Sequence, residues 1–283
     1  MEHFLSGVVD LDRVDDRYDL LECRACGLIQ SDPYPTEATI AYLYDGGDSS
    51  DYEFPERGPI GWLKDRIAMM QVRTIARRAM LAPRRILDFG TGAGRFAVAA
   101  AAAYRDADVV GTDFAPSPPA NSYYERPLER LSYVQYDDLR ARADRFDLVF
   151  ARHVLEHTHD PVATARSWLD VLAPGGALYV EVPNALSRTA KLLPRTWPLW
   201  YVPKHLTHFS RRTLNEVLTA AGGRADIGRC EMPMMGNVLA LAFGRPRFDP
   251  LFKIPGVLLH PVQLALEATG GESTCLYAIV RRP

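Results

Sequence analysis

Two carboxylates and three glycines stand where they could hold a nucleoside: Asp88, Gly90, Gly92, Gly94 and Asp113. Arg85-Ile86-Leu87-Asp88-Phe89 reads as a short buried strand, Gly90-Thr91-Gly92-Ala93-Gly94 as a glycine-rich turn, and Arg95-Phe96 as the opening of a helix. Asp113 closes a second apolar run, Asp108–Asp113. A strand-end acid in that position accepts hydrogen bonds from ribose hydroxyls. The glycine spacing is G-x-G-x-G, and Arg95 stands where the third glycine of a dinucleotide fingerprint would fall. Asp88, at the mouth of the turn, would repel a pyrophosphate and attract an ammonium group. The ligand expected here is therefore a nucleoside that carries positive charge. Just past the third strand, Asp137 or Asp138 could accept from an adenine amino group.

Five of the seven histidines fall between His153 and His208. Imidazole titrates near neutral pH and suits a general base. His153 follows the fourth strand and is expected to point into the crevice outside the strand ends. His205 and His208 lie in a Pro-, Trp- and His-rich segment and could face a substrate. His157 is read as a hydrogen-bonding residue of the protein interior, and His159 and His3 as solvated. His153 and His157 stand at i, i+4 without a third ligand in view, so no metal is expected there. Cys23-x-x-Cys26-Gly27 has the look of half a zinc knuckle, but a closed structural site needs four ligands. No cysteine precedes Cys23, and Cys230 and Cys275 are distant, so a knuckle without metal is expected.

These residues need a scaffold, and the pattern supplies one. From Trp62 to Leu81 a helix is expected, with Leu63, Ile67, Met70, Ile75 and Met80 on one face and Pro83 as its stop. Strands are expected at Arg85–Phe89, Asp108–Thr112, Ser132–Tyr136, Phe146–Ala151, Ala177–Val182 and Cys275–Val280, with a weaker one in Arg224–Glu231 or in Asn237–Phe243. Helices alternate with them: alanine-rich Gly94–Tyr104, one capped by Asp160 with Pro161 at its first turn, and one capped by Ser210. Such alternation implies an α/β, Rossmann-like, seven-stranded and mostly parallel sheet with helices on both faces. Residues 1–55 read as an N-terminal extension and 56–283 as the main domain, with an inserted lid at about 184–210. Within the extension, Thr36–Tyr44 reads as a short helix carrying Ile40, Leu43 and Tyr44, and Gly46–Asp51 as a polar connector. Phe248–Leu266 is apolar, and a helix over the active site, a subunit contact of a homodimer or a membrane-surface patch would each explain it.

Asp88-Phe89-Gly90-Thr91-Gly92-Ala93-Gly94 resembles the first motif of class I S-adenosylmethionine-dependent methyltransferases. Further segments match in the same order: Phe146 through His157, then Leu172-Ala173-Pro174-Gly175-Gly176 with Leu178 through Asn184, and finally His205 through Ser210 with Thr213-Leu214. The Cys23–Leu28 segment resembles part of a zinc ribbon found in some small-molecule members, including certain sugar C-methyltransferases. The resemblance implies S-adenosylmethionine as cofactor. It implies Asp88 near the methionine amino group, Gly90, Thr91, Gly92 and Gly94 under the cofactor, Asp113 on the ribose, Phe114 beside the adenine and Asp137 at its edge, with Asp138 as the competing choice. Ala151 to His153 would line the reactive end, and His153, His205 and His208 are the candidate catalytic residues.

Composition narrows the partners. Net charge is −2, from 33 basic and 35 acidic residues, which gives no footprint for bulk nucleic-acid binding. Hydrophobic residues make up 47% of the chain, enough for a large core. No apolar run approaches the ~20 residues that span a bilayer. Met1–Ser6 lacks the basic-then-apolar layout of a signal peptide, and four cysteines suggest no disulfide framework, so a cytoplasmic protein without membrane insertion is expected. The expected activity is methyl transfer to an oxygen or carbon of a small organic acceptor, such as a sugar, natural-product or glycan intermediate. A non-catalytic adenosyl-ligand binder and an NAD-dependent oxidoreductase are the alternatives.

Overall fold

The computed structural model describes residues 1–10, 16–45, 54–126, 128–245, 249–270 and 272–282. The connector expected at Gly46–Asp51 and the residue Phe248 lie outside the described residues, as does the side chain of Tyr44. The chain opens with β1 (Glu2–Val9), β2 (Arg17–Glu22) and β3 (Ile29–Asp32), then α1 (Glu37–Asp45) and α2 (Gly58–Arg78). The alternating part follows as β4 (Arg85–Phe89), α3 (Arg95–Ala103), β5 (Asp108–Asp113), β6 (Leu131–Gln135), α4 (Tyr136–Ala141), β7 (Phe146–Arg152), α5 (Pro161–Asp170) and β8 (Leu172–Pro183). After it come α6 (Arg188–Leu192), β9 (Thr207–His208), α7 (Arg211–Ala220), β10 (Arg224–Cys230), α8 (Met235–Ala242), α9 (Lys253–Gly270) and β11 (Cys275–Arg281). The weak strand is therefore Arg224–Cys230, and Met235–Ala242 is helical.

The large sheet has seven strands in the order β10-β11-β8-β7-β4-β5-β6. The pairs β4·β5, β5·β6, β4·β7 and β7·β8 are parallel, and β11 runs antiparallel between β8 and β10. The sheet is Rossmann-like, as the alternation implied. Strand order reverses between β4 and β7, and in such sheets ligands bind outside the carboxyl ends at that switch point. Pleat alternation sends Ile86, Leu148 and Phe150 to one face, against α2 and α3, and Leu87, Val149 and Ala151 to the other, against Trp168 of α5 and Leu214 and Leu218 of α7.

The buried stripe of α2 is not the one its large residues suggest. Ala68, Val72, Ile75 and Ala76 are buried, whereas Leu63, Ile67 and Met70 are exposed and Met80 lies beyond the helix end. The neighbouring α3 presents Ala97 and Ala100 to the same cluster, and small residues on both helices let the backbones approach closely.

The segment expected as a lid is packed rather than loose. Trp197, Trp200 and Val202 are buried with Val8, Leu20 and Ile29 of the N-terminal strands and with Ala190 and Met234. β9 pairs with β3, so Ile29 faces His208 and Gln30 faces Thr207 in a four-stranded sheet of order β1-β2-β3-β9. Residues read from sequence as two separate appendages thus share one core. Further along, α9 carries two buried polar side chains: Glu267 accepts from the hydroxyls of Thr189 (2.7 Å) and Thr274 (3.1 Å), and Gln263 accepts from Met234 N–H. Among the described residues no helix is long and apolar enough to cross a membrane.

Candidate active site

β4 delivers its last residues to the switch point and the chain turns there on glycine. Gly90, Gly92 and Gly94 have φ of 68°, 52° and 87°, the left-handed region that glycine tolerates. The N–H groups of Gly90 and Thr91 donate to Thr112 O at 2.9 and 3.1 Å, which ties the turn to β5. A Cβ on Gly90 would fall 2.4 Å from a methyl of Val154, so the turn lies directly on the segment after β7.

Asp88 is 3% exposed and accepts from Thr91 Oγ1 at 2.8 Å; that hydroxyl also meets Tyr124 OH at 2.8 Å. Burial pushes the Asp88 carboxyl up to about 6, against the Thr91 hydrogen bond and the charge of Arg152. It is a buried acid short of positive charge. Asp113 accepts from Gly92 N–H (2.9 Å) and Phe114 N–H (2.8 Å), and burial raises its pKa against those two bonds. Each of its oxygens keeps a lone pair for a further donor.

Beyond Asp113, Phe114 is 62% exposed and stands edge-on to Tyr136 with ring centroids 5.1 Å apart. Tyr136 in turn packs on Phe89 at 5.1 Å, making an aromatic wall over the β5–β6 edge. Asp137 and Asp138 occupy the first turn of α4, and their N–H groups donate to Gln135 Oε1 at 2.7 and 3.4 Å. Gln135 Nε2 donates to Phe114 O at 3.2 Å and to Asp137 Oδ2 at 3.5 Å, so one amide links Asp137 to the backbone of Phe114. Gln135 escaped the sequence reading because glutamine is not among the usual capping residues, although here its side chain caps α4.

A second group of charges gathers at the end of β7. His153 has φ 53° and donates its N–H to Glu181 O at 2.8 Å. Its ring nitrogens both meet carboxylates: Nδ1 to Glu156 Oε1 and Nε2 to Glu181 Oε1, each at 3.2 Å. Burial pulls the His153 pKa down, but the bonded Glu156 and Glu181 outweigh it and raise it to about 10. His153 is thus an imidazolium clamped between two acids at neutral pH, an arrangement that orients rather than accepts protons. Arg152 pairs with Glu181 at 3.2 and 3.3 Å, Tyr179 OH donates to Glu181 Oε2 at 2.8 Å, and burial of Glu181 is overridden by Arg152 and His153, which hold its pKa far below the usual range. Arg152 falls in the stretch expected at the reactive end; Glu181 was not singled out from sequence, because only the β7·β8 pairing sets it opposite Arg152, and Glu156, three residues past His153, was passed over as well.

The other histidines divide. His157 Nδ1 donates to Lys204 O at 3.0 Å and His205 Nδ1 to Leu199 O at 2.9 Å, and the two rings meet edge-on at 4.6 Å. His205 is buried, and burial together with His157 and His208 draws its pKa well below the ordinary value. His208 sits in β9 with Nε2 3.1 Å from Ser31 Oγ, and burial takes it down to about 3. The structure therefore brings His153 and His205 to the same oxygen of Glu156, Oε1, at 3.2 and 3.8 Å, while His208 belongs to the core of the N-terminal sheet. Cys23 and Cys26 flank a tight turn closed by Gly27 N–H on Cys23 O at 2.7 Å, and backbone N–H groups of Cys26 and Ala25 lower the Cys23 pKa.

Residues 64–224, more than half of the chain, match the methyltransferase domain family. The chain belongs to this family. The resemblance of its motifs to class I S-adenosylmethionine-dependent methyltransferases is thereby borne out. Among curated members, a ubiquinone biosynthesis O-methyltransferase of Cereibacter sphaeroides is 32% identical over 136 residues, covering 45% of this chain and 53% of the relative. A trans-aconitate 2-methyltransferase of Methylobacterium radiotolerans is 32% identical over 122 residues, covering 43% of this chain and 46% of that one. The chain spans about half the length of these curated relatives. Among solved structures, the plantazolicin methyltransferase BamL in complex with a triazolic desmethylPZN analog and SAH shares the fold, with TM-score 0.51, 12% identity and coverage of 88% of this chain and 92% of that one. A putative methyltransferase complexed with the Haloferax volcanii Trm112 activator does so at TM-score 0.51 and 17% identity, covering 86% and 97%.

Proposed function

We propose that this methyltransferase-family chain moves the methyl group of S-adenosylmethionine to an oxygen or carbon of a small organic acceptor, such as a sugar, natural-product or glycan intermediate. The observation that carries the reading is Asp88, a buried carboxylate beside left-handed glycines with its pKa lifted to about 6 by burial. A cationic ammonium supplies the charge this acid lacks, and a pyrophosphate would aggravate the deficit. Asp113 accepts from the ribose hydroxyls, Phe114 and Tyr136 flank the adenine, and Asp137 faces its edge. When bound, S-adenosylmethionine supplies an electrophilic methyl on a sulfonium. The chain's own share is alignment of the acceptor and exclusion of water. The rigid Arg152–Glu181–His153–Glu156 array presents fixed charge at that end of the sheet. The small-molecule relatives support the acceptor class.

The test is calorimetry with S-adenosylmethionine, its demethylated product and NAD, followed by labelled-methyl transfer onto a panel of sugar nucleotides and natural-product intermediates. Binding of neither adenosyl ligand would refute the reading. One observation favours a non-catalytic adenosyl-ligand binder instead: both nitrogens of His153 are engaged by carboxylates, so it is no ready base. Binding without transfer to any acceptor would favour that alternative.

A further inference from the structure

We propose that Glu156, His157 and His205 form a binding site for a divalent cation of the zinc class. One donor atom from each of the three lies within 4.8 Å of the others. The histidine tautomers are set for coordination. A backbone carbonyl can only accept, so Nδ1 of His157 and Nδ1 of His205 carry the protons they donate to Lys204 O and Leu199 O. In the neutral form of each ring the lone pair is then on Nε2. A metal-binding imidazole is oriented in this way, with its other nitrogen donating to a carbonyl or carboxylate behind it.

Glu156 gives the second, independent observation. It is 1% exposed, and its Oε2 is buried and accepts no hydrogen bond among the described residues. Its other oxygen, Oε1, is engaged by His153 Nδ1 at 3.2 Å and lies 3.8 Å from His205 Nε2. A buried carboxylate oxygen without a donor is costly, and a cation removes that cost. The His153 contact fixes the carboxylate beside His205, where it can bind a metal.

The ligands come from two stretches that the backbone already ties together. Glu156 and His157 are on the single helical turn Leu155–His157 after β7, and Leu206 N–H donates to Glu156 O at 2.8 Å beside His205. The cation would pin the segment before β9 to the end of β7, close to Val154, on which the glycine turn rests. Two imidazoles and one carboxylate are the ligand set of open zinc sites, with one tetrahedral position left for an oxygen ligand; magnesium and calcium favour all-oxygen shells. The inference does not depend on the methyl-transfer reading, because metal uptake is measured without cofactor or acceptor.

Protein carrying Cys23→Ser and Cys26→Ser, which removes the knuckle thiolates, is stripped with chelator and titrated with Co²⁺ and Zn²⁺. The expected result is uptake of one equivalent, visible d–d bands of a tetrahedral site without near-UV sulfur charge transfer, and a raised Tm with Zn²⁺. Glu156→Gln, His157→Gln and His205→Gln are each expected to weaken binding by about 100-fold or more. His157 is only half-buried, so its variant serves if the two buried replacements fail to fold. No stoichiometric uptake by the parent, or unchanged affinity in a folded His157→Gln protein, overturns the proposal. Uptake only when Cys23 and Cys26 are retained, with sulfur charge transfer, also overturns it.

Discussion

At the scale of single residues, Asp88 joins stability to ligand binding. Its folded pKa is raised from 3.8 to about 6, chiefly by burial. The ligand-free folded state therefore holds the proton more tightly than the unfolded chain does. That contribution to stability is full below about pH 4 and is lost as pH rises through about 6. That displacement of the pKa corresponds to about 3 kcal/mol. Asp88→Asn, which carries no charge at any pH, should raise ligand-free stability by roughly 2–3 kcal/mol at pH 8 and change little at pH 4. Urea denaturation at both pH values measures this. The same variant should lose S-adenosylmethionine binding, and the affinity of the parent should fall as pH drops below about 6, where the acid protonates. A variant no more stable than the parent at pH 8 would mean that Asp88 is already neutralised by Arg152. Asp88 and Asp113 were legible in the sequence because each stands at a strand end in a local pattern. Glu181 was not, because its partners Arg152 and His153 are set by strand pairing, which no local spacing reports, and Glu156, though three residues from His153, is brought to His205 only by the fold.

At the scale of elements, strands and helices were legible from periodicity, and faces less so. The α2 sequence contains two stripes, one of large residues and one of small. A reading by hydrophobicity chooses Leu63, Ile67 and Met70. The structure buries Ala68, Val72 and Ala76, because the partner surface is the alanine face of α3 and close approach of two backbones leaves no room for larger side chains. The consequence is an inverted mutational pattern. Ala76→Leu should destabilise by about 1–3 kcal/mol through overpacking. Met70→Ala, at a position 62% exposed, should stay within about 0.5 kcal/mol of the parent. Chemical denaturation of the two variants side by side decides the matter. Equal costs would place α2 the other way round. Gln135 teaches the converse lesson at a strand end: its side chain stops β6 and starts α4, so the strand expected to run to Tyr136 ends one residue earlier.

At the scale of the whole molecule, two parts of the sequence that share no motif share a core. The seven-stranded sheet was legible because its alternation is local and repetitive. The four-stranded sheet was not, since it needs β1, β2 and β3 to meet a two-residue strand at Thr207–His208, far along the chain. The apolar residues of the Pro- and Trp-rich segment gain their burial from Val8, Leu20 and Ile29. Deleting residues 1–32 should therefore leave Trp197, Trp200 and Val202 without a cover and loosen the stretch that carries His205. Amides of residues 193–209 should then exchange on the order of 100-fold faster, the Leu206 amide on Glu156 O among them. The glycine turn, Asp88 and Asp113 lie in the other sheet, so S-adenosylmethionine affinity should change by less than about tenfold. Hydrogen exchange read by mass spectrometry, paired with calorimetry on the same truncated protein, separates the two effects. If exchange in 193–209 is unchanged, the shared core contributes little and the segment is held by its packing on Ala190 and Met234 and by the Leu206–Glu156 bond. If cofactor affinity collapses with it, the N-terminal sheet supports the cofactor corner through the contact of Val154 with the glycine turn.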